Sequence, residues 1–168
     1  MKKIGIFYGS STGTTAKIAQ KIGAALNVRD NDIHDVERVG PSRLGEYEVL
    51  MLGSSTYTGD LQSDWFDFAN GLKALDLKGK TIAVFGCGNE KMAASFCNAV
   101  GIIYDMAKET GAEVIGEFPG EGFTFRKSKA KIDDSNMMKG LVIDEVNHSD
   151  MTDGRIKEWA AIIEEAAK

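Results

Sequence analysis

The sequence predicts an α/β fold: a five-stranded, doubly wound parallel sheet with helices on both faces. Three observations carry that expectation. Short apolar runs alternate with segments of helical periodicity along the whole chain. The run Val49 to Leu52 is apolar throughout, as in a strand buried on both faces. A loop rich in glycine and hydroxyls joins the first apolar run to the first helical segment, and such folds take ligands at the carboxyl ends of their strands.

The elements follow in order. Ile4, Ile6, Phe7 and Tyr8 mark the first strand. Ile18, Ala19, Ile22 and Leu26 recur at helical spacing, which starts a helix near Thr14. Asp32 to Val36 is a weaker second strand, and Val49 to Leu52 is the third. Trp65, Phe66, Phe68, Ala69 and Leu72 mark the next helix, and Thr81 to Phe85 the fourth strand. Phe96, Val100, Ile103 and Ala107 mark a further helix. Val114 and Ile115 begin a fifth strand, and Leu141 to Ile143 reads as another strand segment. The last helix carries Ile156, Trp159, Ala160 and Ile163, with Thr152 or Asp153 as its cap. Right-handed crossovers leave few topologies for this order. No linker or repeat divides residues 1–168, so one domain is expected. Residues 119–140 break the alternation and form a long loop that flanks the edge strand.

Composition narrows the function. The 168 residues are 43% hydrophobic and 27% charged, an ordinary globular balance. The net charge of −5 makes nucleic acid an improbable partner, because a phosphate backbone demands a basic surface. No run reaches the roughly 20 apolar residues of a membrane helix, and the first apolar stretch is too short for a signal peptide. The expected compartment is cytoplasmic. Two cysteines, Cys87 and Cys97, make no framework of disulfides. His34 and His148 lack ligand-like neighbours in sequence, so no metal is expected.

The first loop, Gly9-Ser10-Ser11-Thr12-Gly13-Thr14-Thr15, opens directly into a helix. Free backbone N–H groups at a helix start favour an anion, and hydroxyls add donors. No Lys follows Gly13, so the loop is not a Walker A motif; it also lacks dinucleotide spacing. A singly esterified phosphate suits neutral donors of this kind. A plain hydroxyl-rich helix cap is the bland alternative.

These residues resemble the phosphate loop of flavodoxins, which runs Ser or Thr, any residue, Thr, Gly, any residue, Thr. Ser10, Thr12, Gly13 and Thr15 match it. Gly59-Asp60-Leu61-Gln62-Ser63-Asp64-Trp65 and Phe85-Gly86-Cys87-Gly88-Asn89 are similar to two further family stretches. Gly122 to Phe125 with Ser128-Lys129-Ala130 looks like the long-chain branch, and Leu141 to Asn147 and Thr152 to Ile156 complete the series. The order and spacing of the motifs are specific, though each alone is weak.

The resemblance implies a flavodoxin-like 2-1-3-4-5 sheet with residues 119–140 interrupting strand five. It implies FMN bound without a covalent bond. Ser10, Ser11, Thr12, Gly13, Thr14 and Thr15 would hold the phosphate. Ser55, Thr56, Tyr57, Thr58, Gly59 and Asp60 would line the ring on one side, with Cys87, Gly88, Asn89, Met92, Phe96, Cys97 and Asp144 on the other. Both ring loops are one residue shorter than is usual, and Met92 stands where the family has a stacking Tyr. The ring loop after strand three is expected to turn a peptide at Thr58-Gly59 toward the reduced flavin, because Gly59 tolerates unusual backbone angles.

The resemblance further implies a low-potential one-electron carrier, monomeric and acidic. Its partners would be redox proteins such as NAD(P)H-dependent flavodoxin reductases and ferredoxin-linked oxidoreductases. The alternative on the same fold is an enzyme, an FMN-dependent quinone or nitro reductase. A receiver-type signalling module is set aside, since Gly9-Ser10-Ser11 and Gly53-Ser54-Ser55 offer no acidic pocket.

Overall fold

The computed structural model describes residues 1–168. Strand β1 is Ile4–Gly9, followed by helix α1 (Thr14–Ala25), β2 (Ile33–Asp35) and β3 (Val49–Tyr57). Then come β4 (Asp60–Leu61), α2 (Trp65–Lys73), β5 (Thr81–Cys87) and α3 (Asn98–Glu109). The chain closes with β6 (Glu113–Ile115), β7 (Phe118–Pro119), β8 (Met137–Met138), β9 (Leu141–Ile143) and α4 (Ser149–Ala166).

The parallel sheet has the order β2-β1-β3-β5-β6, with β9 also paired to β5. Its edge position is filled in two pieces. β6 pairs with the first half of β5 (Thr81↔Glu113), and β9 pairs with the second half (Phe85↔Leu141). Between them the chain leaves the sheet and makes the β7–β8 antiparallel ribbon. Counting β6 and β9 as one strand, this is the predicted 2-1-3-4-5 doubly wound sheet.

Alternation along the strands splits the core between two faces. Leu50, Leu52, Ile82 and Val84 pack with Trp65, Phe68 and Leu72 of α2 and Val100 and Ile103 of α3. Val49, Met51, Ala83 and Phe85 pack on the other side with Ile18 and Ile22 of α1 and Ile156, Trp159 and Ile163 of α4. The buried indoles keep partners: Trp65 Nε1 donates to Gly53 O at 2.8 Å and Trp159 Nε1 to Gly116 O at 2.8 Å.

Two boundaries differ from the sequence reading. α4 begins at Ser149, so Thr152 and Asp153 lie inside the helix rather than capping it. Thr152 Oγ1 donates to Glu145 Oε2 at 2.8 Å, and Asp153 takes an ion pair from Lys21 of α1 at 2.7 Å. The first turn of α4, Ser149-Asp150, is polar and gives no apolar period. α3 likewise begins at Asn98, after Cys97 turns the chain at φ 50°; Phe96 precedes the helix.

Candidate cofactor site

Sheet register gathers the site. Gly9 of β1 lies beside Ser54 of β3, which lies beside Gly86 of β5; Cys87 lies beside Ile143 of β9. The segments after β1, β3 and β5 therefore emerge together at the carboxyl edge, where the strand order reverses.

The first segment, residues 10–13, is a donor-rich cradle. Gly13 adopts φ 91°, and its N–H donates to Ser10 Oγ at 3.1 Å. The amides of Ser11, Thr12, Thr14 and Thr15 donate to no group of the protein. The Thr15 hydroxyl is buried with no nitrogen or oxygen partner; its one polar neighbour is the Cys87 thiol, a weak hydrogen-bonding group. An orphaned buried hydroxyl disfavours the fold, so its retention beside four unused amides marks an anion cradle. Gln62 braces the cradle from outside: its Nε2 donates to Ser11 Oγ at 3.0 Å and Asp64 Oδ2 at 2.8 Å.

The second segment is a two-residue hairpin. Tyr57 of β3 pairs with Asp60 of β4, leaving only Thr58 and Gly59 in the turn. Their φ values are 48° and 77°, the two positive angles of a type I′ turn. The shortened loop thus closes as the tightest hairpin. Gly59 was the residue assigned this freedom from sequence; β-branched Thr58 shares it, and there it is strained. Ser55 Oγ, at the base of this loop, is the other buried orphan hydroxyl of the site. Tyr57 is 40% exposed at the rim.

The third segment, residues 88–92, is pinned to the loop after β9. Gly88 N donates to Ile143 O at 2.9 Å and Glu90 N to Asp144 Oδ2 at 2.9 Å. Asn89 Oδ1 takes the Lys91 N–H at 2.9 Å and Asn147 Nδ2 at 2.8 Å. Met92 projects outward, 60% exposed, and makes no core contact.

Four candidates from the sequence have other duties. Phe96 is fully buried, stacked on Phe125 with centroids 5.0 Å apart and tilted against Phe123 at 5.3 Å; it anchors the 119–140 segment rather than lining the ring loops. Cys97 is buried, and burial holds its thiol well above the ordinary range. Asp144 is buried too. Burial works against its charge, but N–H donors from Glu90, Asn147 and Val146 prevail and hold its carboxyl below the usual range. It fastens the third segment as a fixed charge, with no oxygen left over for a ligand. Cys87 is buried beneath Thr15, and burial pushes its thiol up to about 12, which leaves it an inert packing residue.

Sequence distance concealed several partners. His148 was read as lacking ligand-like company, yet its Nε2 lies 2.8 Å from Glu90 Oε1, and Asp144 is close by. These three are occupied with one another and with backbone: Glu90 Oε2 accepts from Thr124 N at 2.8 Å. Asn98, absent from the sequence candidates, reaches the hairpin turn itself. Gln62 and Asn98 give no periodic signal, since each acts through a single amide.

The fold and site define a doubly wound α/β protein with an unused donor cradle at the first strand–helix junction and two further segments converging beside it at the carboxyl edge of the sheet. The flavodoxin family model matches residues 6–159, most of the chain. The chain is 39% identical to the flavodoxin of Klebsiella pneumoniae over 98% of its own length and 94% of that protein's. It is 40% identical to flavodoxin 1 of Escherichia coli K12, covering 96% and 92%. Its structure matches a Fusobacterium nucleatum flavodoxin bound to flavin mononucleotide at a TM-score of 0.91 and 29% identity, over 100% of both chains. The chain belongs to the flavodoxin family.

Proposed function

We propose that this flavodoxin binds one FMN without a covalent bond and carries single electrons at low potential between redox proteins. The phosphate belongs with Ser10 to Thr15, and the ring between Tyr57 and Met92. The observation that carries this assignment is the buried Thr15 hydroxyl, without a nitrogen or oxygen partner, beside four amides that donate to nothing. FMN supplies the one-electron chemistry; the protein supplies orientation and electrostatics. Neutral donors at a helix start suit a phosphate dianion. Ser55 and the hairpin offer a hydroxyl and backbone groups along one edge of the ring. Tyr57 and Met92, both exposed at the rim, offer an aromatic face and a thioether for the ring's two sides. Membership of a family of electron carriers favours this reading over an FMN-dependent quinone or nitro reductase.

The partners we propose are NAD(P)H-dependent flavodoxin reductases and ferredoxin-linked oxidoreductases in the cytoplasm, met by a monomeric carrier. No helix is long and apolar enough to cross a membrane. A net charge of −5 and the exposed rim carboxylate Asp60 suit basic partners reached by electrostatic steering. Flavin extracted from the purified protein and resolved by chromatography should be FMN in equimolar amount. Recovery of FAD, or a colourless protein that ignores added FMN, defeats the assignment.

A further inference from the structure

Asn98 is the first residue of α3 and is 6% exposed. Its side chain does two things at once. Nδ2 donates to the Gly59 carbonyl at 3.2 Å, and Oδ1 accepts the Lys129 N–H at 2.8 Å. The orientation of the amide is fixed by its partners, because a backbone carbonyl only accepts and a backbone N–H only donates. A carboxylate of the same size would serve Lys129 and repel Gly59. An aliphatic side chain would serve neither.

The two bonds join two parts of the molecule that are far apart in sequence. Gly59 is the second residue of the strained hairpin turn, and Lys129 belongs to the segment that interrupts the edge strand. That segment is seated firmly on the start of α3. Arg126 N and Lys127 N both donate to Ala93 O at 2.8 Å, and the Lys129 carbonyl lies over Gly101 so closely that a Cβ there would come within 2.1 Å of it. A second tether, Ala99 N to Thr56 Oγ1 at 3.0 Å, ties the helix start to the hairpin's first strand.

Within the turn the contrast is sharp. The Gly59 carbonyl is held by Asn98, while the Thr58 carbonyl accepts no hydrogen bond from the protein. The free peptide joins the two residues at positive φ. Motion of the turn is therefore confined to the Thr58–Gly59 peptide, with the Gly59–Asp60 peptide as its fixed end. We propose that Asn98 is a positioning residue for electron transfer: it clamps one end of the turn so that only the Thr58 carbonyl reorients toward the flavin, and it makes that clamp depend on the seating of residues 126–130. This rests on the assignment of FMN to the site.

A freed turn has more conformations to surrender when a carbonyl engages the reduced ring. Loss of the clamp therefore weakens the one-electron-reduced complex relative to the oxidised one. Asn98→Leu, which adds no charge, should change that ratio three- to tenfold. This lowers the first potential by about 28–59 mV, since a one-electron couple shifts 59 mV per decade. The second potential should move less. In FMN-free protein, amide hydrogen exchange at Asp60, which pairs with Tyr57, and at Lys129 should quicken by the same three- to tenfold.

Asn98→Asp, which keeps the Lys129 bond, should leave Lys129 protected, quicken Asp60, and again lower the first potential. If Asn98→Leu does not fold, this variant decides. A Leu variant that takes up FMN with its first potential unchanged overturns the proposal. So does an Asp variant whose second potential falls more than its first, because that pattern reports charge alone. Wild-type protein that took up no FMN would remove the cofactor assignment. The exchange arm, read without FMN, would then still judge the clamp: unaltered exchange at Asp60 in both variants overturns it.

Discussion

The cradle after β1 and the hairpin after β3 stand at the same sheet edge and solve opposite problems. The cradle is relaxed but unsatisfied. Gly13, the residue at positive φ, has open space around its missing side chain, and the local donors simply have no protein acceptor. The hairpin is paired but strained. Its strands pair, its Gly59 carbonyl is bonded, and yet β-branched Thr58 is held at φ 48°. A site that must hold a phosphate unchanged through every redox state needs fixed donors and no moving part. A site that must tell one redox state of a ring from another needs two conformations of similar energy, and local strain brings them closer.

Thr15 gives the largest test of this division. Replacing it with the isosteric Val removes a buried hydroxyl that has no nitrogen or oxygen partner in the protein. The FMN-free protein should therefore gain stability, by about 1 kcal/mol, read as a higher urea midpoint. FMN should bind more weakly by about 1.5–3 kcal/mol, the usual worth of a hydrogen bond to a charged group. Riboflavin, which has no phosphate, should bind as before. Equal losses for both ligands would show that Thr15 faces the ring; a destabilised protein would show that the hydroxyl has an internal partner.

Asp144 tests the support under the ring loops. Both its oxygens take N–H donors from Glu90, Val146 and Asn147, so Asp144→Asn should destabilise the protein by about 2 kcal/mol at neutral pH. The pH dependence follows from a carboxyl depressed in the folded state. Such a group gives its full stabilisation above the unfolded carboxylate value, near pH 4, and loses it as pH falls through the lower folded value. The gap between wild type and Asp144→Asn should thus be constant from about pH 8 to 5 and shrink below pH 4. Urea unfolding at several pH values measures it, and a gap that widens in acid would mean that burial, rather than the amide donors, governs the carboxyl.

Much of the fold was legible because it rests on repetition. Val49 to Leu52 and Thr81 to Phe85 lie in strands at the sheet's centre, and Ile18, Ile22, Ile156 and Trp159 all pack on one face, as their spacing requires. The cradle was legible because its donors are local: backbone at a helix start and hydroxyls next to it. What the sequence concealed were single contacts between distant residues. Nothing periodic links Gln62 to Ser11, Asn98 to Gly59, or His148 to Glu90. Phe96 was placed among the ring contacts on its neighbours' resemblance, and the aromatic pair Phe123 and Phe125 claims it instead. The strain at Thr58 was invisible, because a threonine in a sequence announces no backbone angle.

The hairpin itself supplies the next effect. Thr58→Gly removes a Cβ from the left-handed region, which should stabilise the FMN-free turn by about 1 kcal/mol. Gly59→Ala places one there. The nearest atoms to that Cβ are 3.6 Å away, so the penalty is conformational, about 1–2 kcal/mol, and not a clash. The pair separates strain from packing. Redox titration should show the first potential shifting by tens of millivolts in Gly59→Ala and the second moving little, since 59 mV corresponds to a tenfold change. First potentials that ignored both substitutions would leave the turn without a redox role.

Met92 carries the smallest expected effect and judges how far the third segment belongs to the ring site. Its side chain is 60% exposed, although its backbone is held in the loop by Met92 N to Asn89 O at 2.9 Å and Ser95 N to Met92 O at 3.1 Å. A side chain so exposed adds little to the free protein, so Met92→Tyr should change its stability by no more than about 0.5 kcal/mol. A thioether against an aromatic ring contributes roughly 0.3–1.5 kcal/mol, and a stacked phenol roughly 0.5–1.5. FMN and riboflavin should therefore bind Met92→Tyr up to several-fold more tightly and by the same factor, because the change acts on the ring and not on the phosphate. The visible absorption of the bound flavin should shift with it. This pattern is the mirror image of Thr15→Val, which separates FMN from riboflavin. A tyrosine at 92 that left both affinities and the spectrum unchanged would place the residue on open surface and assign the outer face of the ring to another side chain.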